Sequence, residues 1–156
     1  MGSEMCIRDS RYFAAGFTYS AHPVCCAAAL KNLEILERED LFANVKEVGP
    51  YFEKQLHTLL DLPIVGDIRG EKFIMCVVNV RDRESREFFD PEVNIGKRIS
   101  NHAEELGLIV RPIVDLNVRS PPLTMTIDDV DFVVATLRKA IERTMDDLRS
   151  EGLWQG

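Results

Sequence analysis

Thr18 and Ser20 stand in the loop GFTYSAHP, which runs into an alanine-rich stretch beginning at Pro23. A loop that enters a helix N-terminus offers oriented N–H donors and a favourable dipole to an anion such as a phosphate. Spacing alone also allows a plainer role, in which Thr18 and Ser20 only cap that helix. The second candidate is Arg111, which closes the apolar run Leu108 to Val110 and precedes Pro112. That setting takes the guanidinium out of the core at a fixed place. A planar fork that stays protonated meets a carboxylate with two parallel bonds. The competing assignment pairs Arg111 with Asp115 or with an acid on a helix. Arg119 is expected to face solvent, Asp115 to fix a loop, and Tyr19 to serve as packing. His22, before a helical proline, reads as a cap or packing residue. Cys6, Cys25, Cys26 and Cys76 form neither a CxxC pair nor a metal-ligand spacing, so reduced thiols and no metal are expected.

The elements that must position these residues alternate in a recognisable order. Pro23 suits the first turn of a helix running to Arg38, with Ser20 or His22 as its cap. A second helix follows Asp40, and Gly49-Pro50 should bend or split it. Ile64 to Val80 reads as strand, and its apolar part FIMCVVNV (Phe73 to Val80) suits a central, covered position. Asp90-Pro91 should open a third helix lined by Ile95, Ile99, Ala103 and Leu106, with Gly107 as its stop. Short strands are expected at Leu108 to Val110 and around Leu116 to Val118. The pair Pro121-Pro122 belongs to an edge or loop. Thr126 and Asp129 form a capping signal for a last helix with the stripe Val130, Val133, Leu137, Ile141, Met145 and Leu148. This order implies an α+β fold, a small and mainly antiparallel sheet with helices on one face. The first helix fits poorly inside that layer and reads as a connector.

A length of 156 residues suits one domain with a real core, and a net charge of -7 leaves no basic stripe for nucleic acid. No apolar run is long enough for a membrane helix and no signal core is present, so a cytoplasmic protein is expected. Met1 to Ser10, MGSEMCIRDS, has no apolar period. Met5 to Ser10 can be encoded by a sequence resembling a transposon-end adapter, so this stretch is expected to be non-native.

GFTYSAHP before an alanine-rich helix, and GLIVRPIVDLNVRSPPL from Gly107 to Leu123, together resemble class III aminotransferases, in particular the branch acting on ω-amino acids and amines with pyruvate. NLEILE (Asn32 to Glu37), LPIVGDIRG (Leu62 to Gly70) and NIGK (Asn94 to Lys97) resemble the same family, and the likeness covers Arg11 to Arg149. It implies a fold-type-I enzyme dependent on pyridoxal 5'-phosphate, homodimeric, exchanging an amino group between an amine or ω-amino acid and a keto acid. By this likeness residues 11–38 are the end of the large domain with a connector helix, residues 39–150 the C-terminal small domain, and 151–156 a tail. Phe17 and Thr18 would bind the cofactor, with Thr18 on the phosphate of the neighbouring subunit. Arg111 would bind the substrate carboxylate and swing aside for uncharged side chains. The family's Schiff-base lysine precedes the GFTYS-type motif, and residues 1–15 hold no lysine, so no catalytic residue is assigned and a fragment inactive by itself is expected. Four places depart from the family pattern. Ala15 stands where histidine commonly precedes the glycine. Ala21 stands where glycine is usual and would be strained at positive φ. Val114-Asp115 replaces a glycine-containing pair, and Arg119 stands where relatives carry a smaller or apolar residue. The alternative from another class is a free-standing α+β module that binds small molecules or regulates. Such a module should bury its first helix itself, whereas a fragment would expose it.

Overall fold

The computed structural model describes residue 18 and residues 20–156, in two units, Met1–Glu39 and Asp40–Gly156. Met1 to Ser10, Phe17 and Tyr19 lie outside the described residues.

In the first unit, α1 spans Pro23–Arg38 with the proline in its first turn. His22 is the N-cap, and no side chain makes the capping bond that Ser20 or His22 was expected to supply. Ala21, just before it, has φ 58°, the left-handed conformation that its methyl disfavours. None of the residues of α1 is buried, and Val24, Leu30 and Leu33 are 70%, 68% and 55% exposed.

The second unit holds α2 (Leu41–His57), β1 (Val65–Glu71), β2 (Ile74–Asn79), α3 (Ile95–Glu105), β3 (Arg111–Ile113), β4 (Leu116–Arg119) and α4 (Ile127–Ser150). Pro50 does not split α2. It sits on the exposed side, where water can satisfy the carbonyl deprived of a donor, while Val48, Phe52 and Leu56 anchor the buried side. The four strands form one antiparallel sheet in the order β1-β2-β4-β3, with the apolar β2 interior as its pattern required. Gly70, at φ 117°, lets β1 close on β2, since a Cβ there would lie 2.0 Å from the Ile74 carbonyl oxygen.

Helices cover one face of this sheet. Met75, Val77 and Asn79 of β2 and Asn117 and Arg119 of β4 are buried on that face. Of the intervening residues, Ile74, Cys76, Leu116 and Val118 are exposed or half-buried, while Val78 is buried. The α4 stripe supplies the floor of the core: Val130, Leu137, Ile141 and Leu148 are fully enclosed, and each such side chain contributes about 1.5–3 kcal/mol. Thr126 and Asp129 form the expected capping box. The third helix starts later than Asp90-Pro91 suggests. That pair opens a single 3-10 turn, Pro91–Val93, and α3 begins after Asn94 in a left-handed conformation.

Leu108 to Val110 is not a strand. Its backbone is committed to α3: the Leu108 N–H donates to the Ala103 carbonyl, and Ser100 Oγ donates to the Val110 carbonyl at 2.7 Å. Arg111 therefore opens β3 rather than closing a strand. Pro112 is tolerated inside β3 because that strand is the sheet edge and owes no donor to a neighbour beyond it.

Candidate functional site

The β3–β4 hairpin carries both arginines of the GLIVRP…RSPP segment. Arg111 pairs with Val118 across the hairpin, and Arg119 pairs with Met75 of β2. The turn between the strands is fastened by three hydrogen bonds from Gly96 and Asn79. The Gly96 N–H donates to the Val114 carbonyl at 3.1 Å. The Asp115 carbonyl accepts from the Asn79 backbone N–H at 2.9 Å and from Asn79 Nδ2 at 2.8 Å. Asn79 Nδ2 also donates to Asn117 Oδ1, and Asn117 Nδ2 donates to the Gly96 carbonyl at 2.9 Å. Both asparagines are fully buried, so this network holds β2, β4 and the start of α3 in one register. Motif reasoning missed it. The signal available was the placement of polar Asn79 and Asn117 inside otherwise apolar strands.

Arg111 is exposed, and among the described residues it makes no ion pair or side-chain hydrogen bond, so the pairing with Asp115 or a helix acid is not formed. Asp115 instead anchors the turn through its backbone, and burial raises its carboxyl above the usual range.

Arg119 does not face solvent. The alternation of β4 turns it, like Asn117, to the helix-covered face, where it is 7% exposed. Its Nη1 donates to the Asn117 carbonyl at 3.1 Å, while Nε and Nη2 have no partner among the described residues. Burial pushes the guanidinium down to about 9. Both arginines line a recess of about 340 Å3, walled by Phe52, Leu108, Val110, Val118 and Met125.

Thr18 and Ser20 are exposed in turns ahead of α1, and no acid occupies the first turn of that helix. This fits the phosphate end of the expected cofactor: a hydroxyl, a helix N-terminus and no opposing charge. The second unit holds Arg111, and nothing joins the two candidates inside one described unit. Cys25, Cys26 and Cys76 are free thiols, with no metal-binding cluster among the described residues. No described helix is long and apolar enough to cross a membrane.

The loop of residues 81–89 is mostly exposed but tied to the fold by hydrogen bonds. Arg83 Nη2 donates to the Leu60, Leu62 and Val65 carbonyls, and the indole N–H of Trp154 donates to the Arg81 carbonyl at 3.0 Å. At its end Phe89 is buried, while Phe88 is 51% exposed.

A small antiparallel sheet backed by helices is the architecture of one part of solved transaminases. An aminotransferase from Vibrio fluvialis, bound to PMP, superposes with a TM-score of 0.81 at 35% identity, covering 92% of this chain and 32% of that one. The (S)-enantioselective omega-transaminase of Thermomicrobium roseum matches with a TM-score of 0.81 at 37% identity, over 92% of this chain and 32% of that one. The model of the class III aminotransferases matches residues 4–141, and the chain belongs to that family. An uncharacterized aminotransferase, y4uB, of Sinorhizobium fredii is 43% identical over 90% of this chain and 31% of its own length. The putrescine–pyruvate aminotransferase of Pseudomonas aeruginosa is 36% identical over 85% of this chain and 29% of its own. The chain thus spans about three tenths of the length of these curated relatives.

Proposed function

We propose that this chain is the C-terminal part of a pyridoxal-phosphate-dependent aminotransferase that passes an amino group from an amine or ω-amino acid to a keto acid such as pyruvate. Residues 11–38 are the end of the large domain with its connector, residues 39–150 the small domain, and the intact enzyme is a homodimer working in the cytoplasm. The observation that carries this reading is Arg111, an exposed guanidinium with no ion pair among the described residues, lining an apolar recess on a hairpin that a buried asparagine network holds. Its fork receives the substrate carboxylate and orients the amine or carbonyl carbon for reaction. Thr18, with Phe17 beside it in sequence, holds the cofactor phosphate of the neighbouring subunit. The cofactor, when bound, supplies the electron sink for amino-group exchange. None of the six lysines lies ahead of the GFTYS segment, so the lysine that carries it covalently is expected from sequence encoded upstream of Arg11. An exposed apolar α1 supports the same reading, because a self-contained module would bury it.

The test joins this chain to the upstream coding sequence and measures transamination with pyruvate. Arg111→Ala should lower kcat/KM for the keto acid by about 10–100-fold, the loss of a charge-assisted pair. Thr18→Ala should weaken cofactor retention. Unchanged acid selectivity and unchanged retention in both variants would overturn the assignment.

A further inference from the structure

Three arginines line one recess of the second unit, Arg69 from β1 and Arg83 and Arg86 from the loop of residues 81–89. Asp67 is the one acid among the described residues that line it. Arg69 Nε donates to Asp67 Oδ2 at 2.8 Å, and that bond holds the Asp67 carboxyl below its usual range, so it stays ionised at neutral pH. Three positive groups against one negative leave the lining with a formal charge of +2, in a chain whose net charge is -7. A cleft lined by one sign of charge focuses its field on a ligand of the other.

The loop side of this recess is built in advance. Arg83 Nη2 is pinned on the Leu62 and Val65 carbonyls at 3.0 and 2.7 Å. The Arg81 N–H closes the loop on the Glu87 carbonyl, and the Asp82 carboxylate accepts from the Ser85 N–H and hydroxyl at 2.7 and 2.6 Å. Arg86 makes no hydrogen bond or ion pair among the described residues, yet its charge reaches Asp67 and helps to hold it ionised. Two features then choose between anions. A carboxylate carries one charge and would leave the lining positive, whereas a phosphate monoester carries about -1.5 to -2 at neutral pH and balances it. Val78 and Val80 add a hydrocarbon wall, and Phe88 adds an aromatic face that the fold leaves 51% exposed. Inorganic phosphate would leave both unused, but a phosphate monoester with a ring has a part for each.

We propose that this recess binds the phosphate monoester of a small ring-bearing molecule. Arg86 is the main phosphate donor because its guanidinium is uncommitted, Arg69 and Arg83 flank it, and Phe88 packs against the ring. A volume of about 320 Å3 lies at the small end of ligand pockets and suits a single ring with its phosphate. β1 and β3 are the two edges of the sheet, so β1 and the strand that carries Arg111 lie at opposite ends of it.

The probe is phenyl phosphate, titrated by calorimetry into the 156-residue chain at fixed ionic strength, beside inorganic phosphate. Phenyl phosphate should bind one site per chain, about fivefold or more tighter than inorganic phosphate. Arg86→Gln should weaken both about tenfold or more and keep the parent's melting temperature, since Arg86 is exposed. Phe88→Ala should remove the advantage of phenyl phosphate and leave inorganic phosphate unchanged. Lys46→Gln, which removes an exposed positive charge outside the recess, should bind as the parent does. Absence of phenyl phosphate binding to the parent would overturn the proposal, as would equal binding by R86Q. So would an equal loss in K46Q, which would mean that net charge alone is felt, or an advantage of the ring that survives F88A. A lower melting temperature for R86Q would mean that the protein already uses this guanidinium, and would count the same way. Neither cofactor nor turnover enters these readouts. Failure here leaves the roles of Arg111 and Thr18 standing, and their failure leaves this site standing.

Discussion

Val114 stands in the β3–β4 turn at φ 52°, a conformation that a β-branched residue adopts at a cost of about 1–2 kcal/mol. Its side chain is 60% exposed and contributes little burial in return. Val114→Gly should therefore stabilise the protein by about 1 kcal/mol, partly offset by the extra freedom of glycine in the unfolded chain. Chemical denaturation of the two proteins measures it, and a destabilised glycine variant would mean that the valine side chain packs more than its exposure indicates. The strain was legible in the sequence, because Val114-Asp115 occupies a turn where a glycine-containing pair is expected. Ala21 was legible in the same way, and its φ of 58° shows the strain. Arg119 was not legible. A charged residue before a double proline reads as solvent-facing, and only the pairing of β4 with β2 decides which way alternate side chains point. One residue of register separates the exposed outcome from the buried one.

The sheet and α4 were readable because their signals are redundant: an apolar strand between turns, and a 3.6-residue stripe with a capping box at its head. β3 was misplaced because Leu108 to Val110 is as apolar as a strand, while its Leu108 N–H and Val110 carbonyl are already taken by α3. Pairing follows the available donors and acceptors, not hydropathy. The same junction makes a prediction at Gly96. A Cβ there would lie 2.5 Å from the Val114 carbonyl oxygen and 3.0 Å from that of Leu116, both backbone atoms. Gly96→Ala should push the hairpin off α3 and destabilise the fold by about 2–4 kcal/mol, read as a lower urea midpoint. A near-neutral result would mean that the hairpin gives way freely, a poor mount for Arg111. In the same first turn of α3, Arg98 grips Glu151 through two bonds of 2.7 and 2.8 Å, tying this helix to the end of α4. That pairing holds the Glu151 carboxyl below its ordinary value of 4.5. A lowered folded-state value means the contribution is present in full above the unfolded value and fades as pH falls through the folded one. Glu151→Gln should thus flatten the dependence of melting temperature on pH below about 4.5 and leave its shape near neutrality unchanged.

At the scale of the whole chain, the core and α1 place the weight differently. The enclosed apolar cluster of the second unit and the residues packed on it run from Val45 to Trp154. Helix α1 keeps Val24, Leu30 and Leu33 largely in water, which the isolated chain gains nothing from. Two measurements separate the units. A chain beginning at Asp40 should melt within about 0.5 kcal/mol of the complete 156-residue protein, because no described core residue is lost. Sedimentation should show the longer chain associating more strongly as concentration rises than the shorter one, since the truncation removes the exposed Val24, Leu30 and Leu33 of α1. A large loss of stability on truncation would assign α1 to the core after all. It would also restore the free-standing module as the better account of why that helix is apolar.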